Sequence, residues 1–322
     1  MQDIIAAHQT ATSAPENKDQ IQRFLSTYPE SQINHVLTGQ QLVYMVWYHF
    51  KYILPLRNSY FDWASHKLAD SSGINSLARI PPTQTEMLRI TKALYRYQLG
   101  CNLFGTEPDM FNEASFDIDE IFNDRSAIVD EKNDWFLRKF EPWDVEAIFC
   151  IYRWAGSFYE ELFAYHRGDL SIDGERFHPD EDVVEFTEKL DILSGAGLPL
   201  LYNLMIGITD FYAILYTVQQ VLDDPYRSAF LEWDTRFCYN AFNGHHETDP
   251  LGSEPPLPFT SDAVDKPPLA WTMLWQNGKV SDIGHLKHGI QSLQSWGFVM
   301  WDSERTQYEG VRALVGRQWK WR

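Results

Sequence analysis

Asp223 and Asp224 close an apolar stretch, and adjacent carboxylates in that setting are the means by which aspartate-rich helices hold magnesium against a diphosphate. That chemistry needs a further acid one helical turn on, where this chain has Arg227. Asn123 and Asp124 with Ser126, the nearest approach to a second magnesium motif, stand earlier in the chain and at the wrong spacing. His245 and His246 sit beside Glu247, while His285 and His288 are three apart, a separation that puts two imidazoles on one helix face. Adjacent histidines seldom ligate one ion together, and no Cys-x-x-Cys pair completes a zinc set. Asp180, Glu181, Asp182, Glu185 and Glu188 could divide acid and base roles across a cavity. Acids clustered at a helix start are more ordinarily partners of its dipole. Ser59 has no Gly-x-Ser-x-Gly context, and Gly195 and Gly197 lack the lysine and strand of a phosphate loop. These patterns assign no catalytic residue, no cofactor and no metal ligand.

A different kind of candidate comes from polar residues on the two most recognisable helices. Arg96 and Tyr97 belong to one, and Glu146, Tyr152 and Arg153 to the other. They would line a pocket if the helices enclose one. Their alternative role is an ion-pair and hydrogen-bond set between packed helices.

The elements that must position these residues read as helices throughout. Lys18 to Tyr28 has Ile21, Phe24 and Leu25 at helical spacing and meets Pro29. From Ser31 to Leu54 apolar residues recur at helical spacing, with a break at Gly39 and Pro55 as the expected end. A further helix covers Leu56 to Asp70. Thr83 with Glu86 three residues on is a capping-box pattern ahead of Met87, Ile90, Leu94 and Tyr97, and Gly105 should close that helix. The acidic stretch from Glu107 to Glu131 reads as a loop with one short helix near Phe116 to Phe122. Pro142 suits a first helical position, opening a long amphipathic helix to about His166. Asp180 to Ser194 and Tyr226 to Phe242 read as helices too. The apolar stretch from Ala196 to Val221 is interrupted by Pro199, Asn203, Gly207, Thr209 and Asp210, too often for a lipid-facing span, and reads as two buried helices. Six prolines between Asn243 and Pro268 prescribe an irregular surface segment. A short helix is expected near Ile283 to Leu293, amid Trp271, Trp275, Trp296, Trp301, Trp319 and Trp321.

Composition narrows the function classes. The chain has 322 residues, 44% of them hydrophobic and 15% aromatic, ample for a packed core. A formal charge of -18 repels a phosphate backbone, which argues against nucleic acid as a partner, and opposes docking on an anionic membrane. Cys101, Cys150 and Cys238 are few, odd in number and far apart, which fits a reducing compartment. The first thirty residues carry no apolar signal core, so a cytoplasmic or nuclear location is expected. The 12 Trp, 16 Tyr and 20 Phe either fill a core between irregularly packed helices or build a binding groove.

Four strings in order carry a resemblance. They are Ala93-Leu-Tyr-Arg-Tyr-Gln-Leu-Gly-Cys-Asn-Leu-Phe-Gly105, Phe140-Glu-Pro-Trp-Asp-Val-Glu-Ala-Ile-Phe-Cys-Ile-Tyr152, Lys266-Pro-Pro-Leu-Ala-Trp271 and Ser295-Trp-Gly-Phe-Val-Met-Trp-Asp-Ser-Glu-Arg305. Together they resemble a set of uncharacterised filamentous-fungal proteins, some of them designated F-box or F-box-like, over about residues 80–310. The resemblance implies a short helical module ahead of these blocks that engages a Skp-type adaptor of a ubiquitin ligase. Residues 1–78 carry no clear Leu-Pro-x-Glu-like opening of that module. It supplies no catalytic residue.

The expectation is an all-α or nearly all-α chain, an irregular multi-helix bundle forming one domain over 1–322. It would have an N-terminal helical subregion over 1–78, a Pro-rich surface loop and a Trp-rich C-terminal region. The leading function is a protein-interaction or adaptor protein, a degenerate F-box-like receptor. The alternative is a helical enzyme of fungal small-molecule metabolism with an internal pocket. An adaptor calls for a filled core and an apolar patch outside, an enzyme for a cavity of several hundred Å³ with convergent polar groups.

Overall fold

The computed structural model describes residues 2–12, 18–28, 37–105, 135–165, 171–172, 175–176, 183–224, 258–276 and 287–317. These residues are helical almost throughout, as the periodicity requires. In chain order the helices are α1 (Gln2–Thr12), α2 (Lys18–Thr27), α3 (Gly39–Tyr48), α4 (Leu54–Ser72), α5 (Gln84–Phe104), α6 (Pro142–Tyr165), α7 (Val183–Gly195), α8 (Leu198–Tyr202), α9 (Phe211–Leu222), α10 (Leu269–Gln276), α11 (Lys287–Gln294), α12 (Ser303–Thr306) and α13 (Glu309–Arg317). The strands among the described residues are β1 (Ser171–Ile172) and β2 (Glu175–Arg176), paired antiparallel with Ser171 opposite Arg176. The expected helices near 116–122 and 226–242 lie outside the described residues, as do His245, His246, His285, Arg227, Trp319 and Trp321. The expected Pro-rich segment is described from residue 258, and its stretch up to Pro268 is irregular.

Helix starts follow local chemistry. The capping box at Thr83 forms as read: Glu86 N–H donates to the Thr83 hydroxyl and Thr83 N–H to Glu86 Oε2, both at 3.1 Å. A second box, Thr38 with Gln41, opens α3 just before Gly39, where the sequence reading had only a break. Pro142 is the first residue of α6, and Gly105 follows the last of α5. Pro55 does not stop its helix. His49–Ile53 forms a π turn in which Leu54 N–H donates to His49 O, and α4 continues through Pro55. The wider turn absorbs the ring, and proline has no N–H left to satisfy. The sequence patterns do not show α1, α10, α12 and α13.

The chain divides into two compact units, interleaved in sequence. One comprises Met1–Leu56, Tyr95–Lys139 and Trp154–Asp234, the other Arg57–Leu94, Phe140–Arg153 and Thr235–Arg322.

In the second unit, aromatic packing and a buried ionic network share the core. Trp296, Phe298 and Trp301 are buried in the turn between α11 and α12, with Trp301 Nε1–H donating to Trp296 O at 2.9 Å. Trp143 and Trp271 meet edge to face at 5.5 Å. Arg305 gives Nε–H and Nη2–H to the two oxygens of Glu86, each at 3.0 Å, and donates further to Leu77 O and Pro81 O. Its guanidinium lies 4.9 Å from the Trp301 ring centre and 5.5 Å from that of Phe61. Glu86 Oε1 also accepts from Asp302 N–H at 3.2 Å. Arg89 donates to Asp302 Oδ1 and to Asp262 O, both at 2.9 Å, while Asp262 accepts from the amide and hydroxyl of Ser303. The Thr83 hydroxyl donates to Asp302 Oδ2. Burial raises the Asp302 carboxyl above its ordinary pKa, against the lowering effects of Thr83 and Arg89. Gly297 turns the chain at φ 69°, where a Cβ would stand 2.5 Å from the Tyr60 hydroxyl.

In the first unit, α1 packs against α3, α8 against the His49–Ile53 turn, and α9 against α7. Gln98 Oε1 accepts from Leu198 N–H at 2.7 Å, seating the start of α8, and Tyr97 donates its hydroxyl to Ser194 O at 2.5 Å. Asn102 Nδ2–H donates to Ala7 O and to Thr10 Oγ1, each at 3.0 Å, tying α1 down.

Candidate interaction surface

From Leu42 to Tyr48, α3 is an unbroken run of apolar and aromatic residues, with no charge between Gly39 and Phe50. Such a helix can bury only part of its circumference unless it is enclosed. Met45, Tyr48, Tyr52 and Ile53 take the inner side. Leu42, Val43, Val46, Trp47 and Phe50 are left outside, with Val43 71%, Phe50 64% and Trp47 45% exposed. Val43, Val46, Trp47 and Phe50 fall at i, i+3, i+4 and i+7, so they form one continuous stripe. Helical spacing alone marks all of these positions as candidates for packing. The pattern reports an apolar helix, and the structure decides which side of it packs.

The stripe continues through aromatic contacts. Trp47 meets Tyr52 edge to face at 5.6 Å, and Tyr52 meets Tyr202 at 5.3 Å. One turn beyond Tyr202, Ile206 is exposed. Lys51 Nζ lies 4.9 Å from the Trp47 ring centre and 5.0 Å from that of Tyr52, a cation set against the aromatic faces. On α9, capped by the Asp210 side chain accepting from Ala213 N–H at 2.9 Å, Tyr212 and Tyr216 point outward, Tyr212 at 76% exposure. The expected pair of buried helices over 196–221 is thus half corrected: Leu198, Leu200, Leu201 and Leu204 are buried, but α9 turns its tyrosines to the outside. Among the described residues no single helix is long and apolar enough to cross a membrane. Lys189–Gly195 and Leu198–Gly207 reach that length only as a pair, bent by 100° at the break.

The five pocket candidates are distributed between the units. In the first, Arg96 Nε stands 3.3 Å from Asp3 Oδ2, and Asp3 also accepts from the Tyr28 hydroxyl. Tyr97 is buried on Ser194 O. In the second, Glu146 is fully buried and accepts from Gln294 Nε2–H at 2.9 Å, Tyr152 is buried, and Arg153 is half-buried. Cys150, one turn after Glu146, has its thiol raised well above the ordinary pKa by burial first and the Glu146 charge second. That is the behaviour of an inert core thiol. Asp223 sits at the end of α9, where it accepts from Gln219 Nε2–H at 2.7 Å, in keeping with a polar helix end. Among the described residues no three His, Cys, Asp or Glu side chains converge as metal ligands would.

A recess between α1 and α3 is lined by Ile4, Ala7, His8, Tyr44, Tyr48 and Tyr95 and admits a water-sized group. No motif in the sequence marks His8. Its signal was available only in part: a histidine on the apolar side of a helix is legible, its neighbours are not.

Comparison with known proteins finds no match to this chain, by family model, by curated sequence or by solved structure.

Proposed function

We propose that this protein is an adaptor that binds another protein through the exposed stripe of α3. The observation that carries the reading is the charge-free run of Val43, Val46, Trp47 and Phe50 on the outside of a chain with net charge -18. Exposed apolar patches built on a rigid helix, with a tryptophan near the centre, are the ordinary form of a protein-docking site. Most of the surface would repel another acidic protein, so association is directed to the uncharged stripe. The recess beside His8 admits a water-sized group, too little to favour the competing reading of a small-molecule enzyme. The sequence blocks over residues 80–310 support placing the adaptor among fungal F-box-like receptors in the cytoplasm or nucleus.

The test compares the full chain with Val43→Asp and Trp47→Asp. Val43 is largely exposed, so Val43→Asp should change unfolding free energy by no more than about 0.5 kcal/mol, whereas Trp47→Asp also loses ring contacts and should cost about 1 kcal/mol. Affinity purification from the native host should recover a defined protein set with the parent chain and lose it with both variants. Equal recovery from all three chains would refute the reading. Direct titration with a purified Skp-type adaptor then decides whether the partner is a ubiquitin ligase.

A further inference from the structure

α1 buries His8 to 7% exposure against α3, with the imidazole 4.8 Å from the Tyr44 ring centre. A neutral imidazole carries one donor and one acceptor, yet neither Nδ1 nor Nε2 has a hydrogen-bond partner, and the Tyr48 hydroxyl lining the same recess has none. Buried polar groups without partners oppose the docking that buries them, so this seam is drawn from the weakly held end of the structure. The polar ties of α1 lie elsewhere, at Asp3 with Arg96 and Tyr28, and at Ala7 O and Thr10 with Asn102.

We propose that α1 is a displaceable strap on α3, released when His8 takes up a proton. The groups facing His8 are Tyr44 and Tyr48 from α3 and Tyr95 from α5, whose hydroxyl lies 3.0 Å from His49 Nδ1. None of them is an anion that would hold an imidazolium in place. Asp3, the carboxylate of α1 itself, is engaged by Arg96 and Tyr28. Burial lowers the His8 pKa below its ordinary value of 6.5. The docked state therefore binds its proton less readily than the released state. Docking is fully supported above about pH 6.5 and weakens progressively as pH falls below it. Release would uncover the Tyr44, Met45 and Tyr48 side of α3, next to the exposed stripe. That consequence for partner binding rests on the adaptor reading, whereas release itself does not.

Hydrogen exchange of the full chain at pH 7.5 and 5.5, corrected for intrinsic rates, reads the strap directly. One pH unit below 6.5, the α1 amides should lose protection relative to those of α6, by up to about tenfold. His8→Leu should keep the same α1 protection at both pH values. Unchanged α1 protection in the parent chain, or an equal loss in His8→Leu, would overturn the proposal. Should His8→Leu fail to fold, an NMR titration of the His8 imidazole in the parent chain decides. A midpoint below 6.5 supports the strap and one at or above 6.5 overturns it. Acid release of α1 with unchanged partner affinity would retain the strap and confine docking to the stripe that is exposed in both states.

Discussion

Two regions, one in each compact unit, treat their buried polar groups in opposite ways. Around Glu86, Arg305 and Asp302 of the second unit, charged side chains almost free of solvent are cross-bonded to one another and to backbone carbonyls. At the α1–α3 seam of the first unit, His8 and Tyr48 are buried with no hydrogen-bond partner, and the outer side of α3 carries exposed apolar residues. A satisfied ionic network confers rigidity and a unique arrangement, since losing any member leaves the rest stranded. An undersatisfied seam beside an open apolar stripe suits an element that exchanges partners. The difference assigns scaffold to one region and contact to the other.

Removing the hub of the network should have the largest effect. Glu86→Ala strands Arg305 and is expected to lower the unfolding free energy by about 3–5 kcal/mol, read as an earlier midpoint in guanidinium. Loss of under 1 kcal/mol would erase the contrast between the units. Gly297→Ala should cost about 1–3 kcal/mol, because the left-handed backbone strains and the new Cβ meets Tyr60, a fully buried side chain. At the seam the sign reverses. Tyr48→Phe deletes a buried hydroxyl without a partner and should stabilise by about 1 kcal/mol in the same unfolding measurement. Destabilisation there would show that the hydroxyl is satisfied in solution and would weaken the strap.

The fold was legible wherever the information is local. The Thr83 and Glu86 box, Pro142 at a first helical position and Gly105 after a last one all act within one turn. The Thr38 and Gln41 box was equally readable and went unread because Gly39 suggested a break. Pro55 misled for a physical reason: its cost depends on the turn before it, and a π turn removes that cost. The interaction surface was harder. The α3 stripe and its buried side are both apolar, so periodicity names the helix without choosing its inner face. The five pocket candidates were chosen for being polar on recognisable helices, which carries no information about distance.

Local sequence makes this chain helical, sets where several of its helices begin and end, and supplies tryptophans with apolar surface for either a core or a groove. Hydrogen bonds within a turn and the energy of burying an indole depend little on the rest of the chain. Long-range packing settles that Glu86, already engaged by its own helix cap, also neutralises Arg305 from the far end of the sequence. It alone decided that Trp47 faces outward and that His8 is enclosed without a partner. Those outcomes depend on which surfaces meet, and many pairings of apolar helix faces differ by little in area while differing entirely in what they leave exposed or unsatisfied.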